Sequence, residues 1–273
     1  MKAELLAFWN RAGGLLQCPV CAQPGEIRAG SFVCFGGHCF DLAARGYLNF
    51  LPRRAGGPYD AALFQSRRAV YGRGFFAPVL ERLAEIVRSA GRPELTLLDA
   101  GCGEGYFAGA LAQASDLPSL TALALDIAPE AIRLAARTPG VYWLVADLSR
   151  MPLRAGIVDV LLNILTPANY TEFARVLAPG GLAVKIIPGP DHLREIRAAA
   201  GKAPYAAPPV KEIFAGRLAL AGEEEMRYTL PATPEEAEHF LRMTPLTQDG
   251  RPSALAAPRE VTVHLILLRG RKI

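Results

Sequence analysis

The sequence predicts an α/β protein, a mostly parallel sheet with helices on both faces and a small metal-binding lobe at its front. Three observations carry this expectation. From residue 95 onward, apolar strand-like runs alternate with helical ones, the pattern of strand–helix–strand units. A glycine-rich turn, "LLDAGCGEG" at 97–105, joins the first of these strands to the helix that follows it. The segment "CPVCAQPGEIRAGSFVCFGGHCF", residues 18–40, holds four of the chain's five cysteines and one of its four histidines.

The elements follow in order. Residues 15–52 are cysteine-rich and punctuated by glycine, and "RRAGGPYD" at 53–60 has the composition of a linker. Residues 61–71 and 76–90 read as helices; in the second, Phe76, Val79, Leu80, Leu83, Ile86 and Val87 recur at helical spacing. Strands are expected at 95–100, 121–127, 141–148, 157–165 and 181–187. Helices are expected at 104–114, at 129–137 with Pro129 in its first turn, at 169–177 and at 190–200. Two late strands, 224–232 and 260–270, flank a helix at 234–242 and suggest an antiparallel addition at the sheet edge. The expected boundaries are 1–52 for the lobe, 53–92 for a linker and lead-in helices, and 93–273 for the main domain.

A chain of 273 residues with 51% hydrophobic composition can bury a substantial core. The net charge of +4 is uneven: residues 1–92 carry 12 Lys/Arg against 6 Asp/Glu, and the remainder 18 against 20. A basic front end points to an anionic partner, or to a solvated basic surface. The opening "MKAELLAFWNRAGGLLQC" is no lipoprotein signal, because Asn10 and Arg11 break the apolar run and Gln17 stands where a small residue is needed. No run of about 18 apolar residues exists to span a bilayer. The expected location is the cytoplasm, where clustered cysteines are metal ligands more often than disulfides.

In the glycine turn, Gly101, Gly103 and Gly105 let the backbone bend sharply and approach a ligand. Asp99 ends the first strand, where it can orient the turn. Asp126 ends the second, where a carboxylate can accept from two ribose hydroxyls. Asp147 ends the third, within reach of an adenine amino group. A dinucleotide site normally has G-x-G-x-x-G, and here Tyr106 occupies the last position. The stretch "LDAGCGEG" instead resembles the D-x-G-x-G-x-G pattern of S-adenosylmethionine (SAM) methyltransferases. Asn163, in "NILTP" at 163–167, closes the fourth strand on the side where substrates bind in such sheets. Cys102, inside the turn, reads as a small filler.

Cys18 and Cys21 form a C-x2-C knuckle; Cys34 follows after twelve residues and His38 after three more. This spacing is that of a closed tetrahedral zinc site, structural rather than catalytic. Cys39 competes with His38 for the fourth position.

Knuckle and glycine turn together, in this order, resemble the 23S rRNA (guanine-N1) methyltransferase family, the RlmA-like enzymes and their macrolide-resistance relatives. The likeness continues through "FDLAARGYLNFLP" (40–52), "RRAVYGRGFFAPVL" (67–80), "LAPGGLAVKIIPGPDHL" and "FLRMTPL", and so covers nearly the whole chain. It implies a class I, Rossmann-like methyltransferase with a seven-stranded, mostly parallel sheet and an N-terminal zinc-binding domain. It favours His38 as the fourth zinc ligand and implies SAM contacts at Phe76, Phe107, Ala108 and His192. Phe75-Phe76 replaces the family's His-Tyr, removing a phenolic hydrogen bond. The implied reaction is methylation of guanine N1 in a 23S rRNA hairpin, with Asn163 at the target base, Asp147 on adenine and His192 near the methionine end of SAM. Arg53, Arg54, Arg67, Arg68 and Arg73 would grip the RNA, or the helical arginines would pair with Glu81 or Glu85. The family suggests a homodimer. The competing expectations are a small-molecule SAM methyltransferase and a non-catalytic zinc-ribbon RNA-binding module.

Overall fold

The computed structural model describes residues 3–51, 61–203, 205, 209–244 and 257–272. The chain begins with helix α1 (Ala3–Asn10) and a three-stranded antiparallel ribbon of β1 (Gly25–Arg28), β2 (Ser31–Cys34) and β3 (Cys39–Asp41). A short strand, β4 (Tyr47–Asn49), then leaves the ribbon. Helices α2 (Ala61–Gly72) and α3 (Ala77–Arg88) lead into the alternating region. There β5 (Glu94–Ala100), α4 (Tyr106–Gln113), β6 (Ser119–Asp126), α5 (Pro129–Ala135), β7 (Val141–Val145) and β8 (Val158–Ile164) follow in turn. The chain continues through α6 (Tyr170–Val176), β9 (Leu177–Pro188), α7 (Arg194–Ala199), α8 (Val210–Ala215), β10 (Ala219–Pro231), α9 (Pro234–Met243) and β11 (Glu260–Arg271).

The large sheet has the order β10-β11-β9-β8-β5-β6-β7-β4. The seven expected strands are present, and β4, from the N-terminal segment, adds an eighth by pairing in parallel with β7. β11 lies antiparallel between β10 and β9, so the late strands are the edge addition their sequence suggested. β5 has β6 on one side and β8 on the other. Successive connections from β5 therefore run in opposite directions, which opens a crevice at the carboxyl ends of these strands. Central strands such as β8, buried along most of their length, carry unbroken apolar runs for that reason. α9 starts with a reciprocal cap between Thr233 and Glu236 and has Pro234 in its first turn.

Helices lie on both faces, as expected, with Phe173 and Val176 of α6 and Phe214 of α8 on the second, but the two faces are covered differently. Helices α3, α4 and α9 pack against Leu97, Val160, Leu162 and Val184 on one face. Across β5–β7 the opposite face is covered by the N-terminal segment itself. Trp9, Leu16, Phe32, Leu48 and Phe50 share one continuous core with Leu98, Leu123, Leu144 and Leu153. Phe8 stacks on Tyr142 at 4.1 Å, and the Tyr142 hydroxyl donates to the Phe8 carbonyl. Gln17 N donates to the Pro152 carbonyl and Arg154 N to the Leu15 carbonyl. A ribbon this short cannot bury enough apolar surface alone, and it completes its core against the sheet.

Gly105 sits at φ +81°, where a Cβ would lie 2.4 Å from the Trp143 ring and 2.8 Å from the Ala135 Cβ. Gly140 has φ +85° but faces open space. Gly105→Ala is expected to cost about 1–2 kcal/mol for the left-handed backbone and roughly 1–3 kcal/mol more for overpacking. Gly140→Ala should show only the first cost, and equal losses in urea unfolding would contradict the packing account. Because ribbon and sheet share a core, stripping metal from the ribbon is expected to lower one cooperative thermal transition for the whole chain. A separate ribbon transition that leaves the main one unmoved would show two independent units.

Candidate cofactor cleft and metal centre

The glycine turn is pinned to the end of β6. Gly101 N and Cys102 N both donate to the Leu125 carbonyl, at 2.8 and 3.0 Å, and Gly103 N donates to Asp126 Oδ2 at 2.9 Å. Ala128 N donates to Asp126 Oδ1, also at 2.9 Å. Each Asp126 oxygen keeps a second lone pair directed elsewhere, as a diol would require. At Gly101, φ +87°, a Cβ would meet the Thr166 side chain at 2.6 Å, so only glycine lets the turn close on that wall.

Beyond the turn lies a cleft of about 590 Å³. Phe76, Asp99, Gly101, Gly103, Phe107, Asp126, Asp147 and His192 all line it. Ala108 does not: it is fully buried on α4, and its backbone hydrogen-bonds Asp99. Asn163 does not reach the cleft either, contrary to the expectation that it meets the target base. It is fully buried, its amide donates to the Ala100 carbonyl at 2.7 Å and the Pro167 carbonyl at 3.1 Å, and its Oδ1 accepts from Lys185 Nζ at 2.6 Å. With its capacity used internally, Asn163 is a positioning residue for the 163–167 turn.

The electrostatics fit a cation. Burial, then the nearby Asp126 charge, pushes Asp99 up to about 7. Burial pushes Glu104 up to about 7, with Arg67 opposing. Asp99 Oδ2 and both Glu104 carboxylate oxygens are buried without a hydrogen-bond partner among the described residues. Unsatisfied carboxylates facing a cavity are costly unless a ligand supplies positive charge or donors. The sulfonium and ammonium groups of SAM supply both, so these residues suit that cofactor. Asp147 uses Oδ1 to accept from Ser149 N. His192 accepts a backbone N–H from His264 at its Nδ1, which leaves the proton of the neutral ring on Nε2. Burial, with His264 and Arg197 adding to it, pulls its pKa down to about 4.

Several cleft residues were not foreseen. Tyr71 lines the wall beside Phe76, stacks on Tyr106 at 4.7 Å and brings a phenol to the side where Phe76 has none. Arg67, expected on RNA, turns inward: it lies 3.9 Å from Glu104, donates to the Met243 carbonyl and stacks over Phe64. It pairs with neither Glu81 nor Glu85. Arg68 is exposed, Arg73 faces Glu236 at 3.6 Å, and Arg53 and Arg54 lie outside the described residues. Leu165 and Leu193 have positive φ, 52° and 54°, and both line the cleft. Strained backbone gathers at functional sites, and no sequence signal marks it at leucine.

The metal centre lies on the ribbon. The ligand atoms of Cys18, Cys21, Cys34 and His38 all fall within 4.8 Å of one another. Cys21 Sγ and Cys34 Sγ are 3.6 Å apart, and Cys34 Sγ lies 3.5 Å from His38 Nδ1. A tetrahedron with zinc–sulfur bonds of about 2.3 Å has edges of about 3.8 Å, which these separations fit. Val20 N and His38 N point at the Cys18 and Cys34 sulfurs, at 3.4 and 3.2 Å, and favour thiolates. Gly36 passes so close that a Cβ would lie 2.9 Å from Cys21 Sγ. Cys39 starts β3 with an exposed side chain and stands outside the group. Four protein ligands close the site, so the zinc is structural.

Comparison with known proteins agrees with this pairing of centres. Residues 16–55 match the zinc-ribbon family described as "RlmA, N-terminal", and residues 97–181 match "Methyltransferase domain". The 23S rRNA (guanine(748)-N(1))-methyltransferase of Streptomyces fradiae is 32% identical over 88% of each chain. YxjB of Bacillus subtilis, named as a candidate 23S rRNA (guanine-N(1)-)-methyltransferase, is 31% identical over 94% of this chain and 97% of its own. A similarly named protein of Micromonospora griseorubida is 31% identical over the same shares. Both centres, and a likeness that runs through ribbon and sheet alike, place the chain in the 23S rRNA (guanine-N1) methyltransferase family.

Proposed function

We propose that this protein transfers a methyl group from SAM to N1 of a guanine in a 23S rRNA hairpin. The observation that carries the reading is the fusion of a Cys3His ribbon to an anionic cofactor cleft within one core. The family's named substrates support it. When bound, SAM supplies an electrophilic methyl on a cationic sulfur.

The chain's own residues bind, orient and exclude water. Asp126 receives the ribose hydroxyls and Asp147 the adenine amino group. The neutral His192 offers an Nε2–H donor to the carboxylate of the methionine moiety, and Asp99 and Glu104 face the positive charges. Phe76, Phe107 and Tyr71 form the apolar wall that keeps water from the reacting line. Guanine N1 would give its proton to solvent as it gains the methyl, which would leave the sulfur of SAM as a neutral thioether. The base must leave its stack to enter, at a cost of roughly a few kcal/mol. Arg68 and the ribbon contact the hairpin's phosphates, and the protein works in the cytoplasm, where its rRNA is made. The family's dimer would present two ribbons to one RNA.

Labelled SAM with unmodified 23S rRNA is expected to place label on one guanine and to create a reverse-transcription stop there, because N1 methylation blocks pairing. Label in small-molecule extracts but not in rRNA would overturn the assignment. The carboxylates give a pH test. Burial holds Asp99 and Glu104 above their ordinary range, so protonation stabilises the fold, and that stability is lost as pH rises through about 7. SAM needs them ionised, so its affinity is expected to rise severalfold between about pH 6 and pH 8. Asp99→Asn should flatten that rise. A wild-type affinity that is level across this range in calorimetric titration would contradict the account.

A further inference from the structure

A second cavity, of about 510 Å³, adjoins the cofactor cleft. The two share Leu165, Thr166, Pro167, Pro188 and Tyr205 as common wall. The second cavity is mostly apolar, lined among others by Ile186, Ile187 and Ile213, and Lys185 and Tyr170 are among the polar side chains that break that lining. Lys185, only 5% exposed, stands in the middle of β9. Its ammonium donates to Asn163 Oδ1 and to the Thr166 carbonyl, so one of its three donors has no acceptor among the described residues. Tyr170, at the start of α6, is held edge-on by Phe173 and Phe214, and its buried hydroxyl has no partner among the described residues. An apolar cavity whose wall holds two polar side chains with hydrogen-bonding capacity left over suits a ligand that offers acceptors.

We propose, building on the functional reading above, that this cavity receives the target guanine, with Lys185 donating to O6 and the Tyr170 hydroxyl donating to N7. These neighbouring acceptors distinguish guanine, since adenine presents an amino donor where guanine has O6. An ammonium at O6 would repel that amino group, so Lys185 selects the base. N1 is adjacent to O6, and a donor at O6 also holds the electron density that N1 gains as its proton leaves for water. Burial lowers the Lys185 pKa to about 8, which still leaves it mostly protonated at neutral pH. Lys185 also holds the 163–167 turn, so loss of activity alone would not separate the two roles.

The test measures base discrimination. Hairpins are made with guanine, 2,6-diaminopurine or 7-deazaguanine at the position that reverse transcription identifies. Equilibrium binding and single-turnover methylation are then measured. Wild type is expected to bind the guanine hairpin about tenfold or more tighter than the diaminopurine one. Lys185→Met should bring that ratio to within about twofold. Tyr170→Phe removes an unpartnered hydroxyl and should leave folding intact. Wild type should lose about fivefold in rate with 7-deazaguanine, and Tyr170→Phe should not tell it from guanine. If Lys185→Met does not fold, the Tyr170 arm decides by itself. Variants that keep the wild-type preferences, or a wild type without preference, would overturn the pocket assignment alone. A wild type that methylates no guanine of 23S rRNA would overturn the functional reading and the pocket with it.

Discussion

The structure turns on how the glycine turn after β5 is tied to the end of β6. Two amides share the Leu125 carbonyl, and the Asp126 carboxylate takes a third from Gly103 and a fourth from Ala128. This fixes the path between the first two parallel strands at the point where connections leave β5 in opposite directions. With the turn fixed, Asp99, Glu104 and Asp126 face one volume, and the 163–167 turn closes the far side. The Thr166 side chain packs against Gly101, so both walls of the cleft are set by one close approach.

That closeness carries an electrostatic cost. Three carboxylates share a buried space, and Arg67 reaches only one of them, at 3.9 Å. Asp99 and Glu104 are left with unsatisfied oxygens, and two leucines at the rim adopt a backbone conformation that glycine would take more readily. Proteins depart from local ideality where they bind, and here the departures cluster around the space a cationic cofactor would fill. The helical core supplies what offsets them: Val79, Leu83, Ile86 and Val87 of α3 are almost wholly buried against the sheet.

Much of this was legible in the sequence. Strands buried on both faces read as unbroken apolar runs, which is why β5, β6 and β8 stood out. The aspartates at strand ends were legible because the fold puts strand ends at the crevice. The zinc ligands were legible because metal geometry limits spacing. Other features depend on contacts distant in sequence. β4 is three residues long and offers no alternation to detect. α8 is a single short helix just after a Pro- and Ala-rich stretch. Arg67 reads as a surface cation until Glu104, far along the chain, draws it inward. Asn163 sat at the expected strand end, but Lys185 and two carbonyls take up its amide. The sequence does carry one signal for the second cavity: Lys185 is the lone charge in the apolar run "GLAVKII", and a charge within a buried strand needs a reason to be there.

The shared core has a consequence for how such a protein can change over time. A small domain joined by a loose tether can be exchanged, duplicated or lost without harm to the main unit. This ribbon cannot, because Trp9, Phe32 and Phe50 serve as the wall that helices supply in a conventional sheet of this class. Deleting it would expose a broad apolar surface to solvent and invite association. The two halves are therefore bound to a common lineage: any drift in the ribbon's inner face must be matched on β6 and β7, leaving only its outer loops free to diverge.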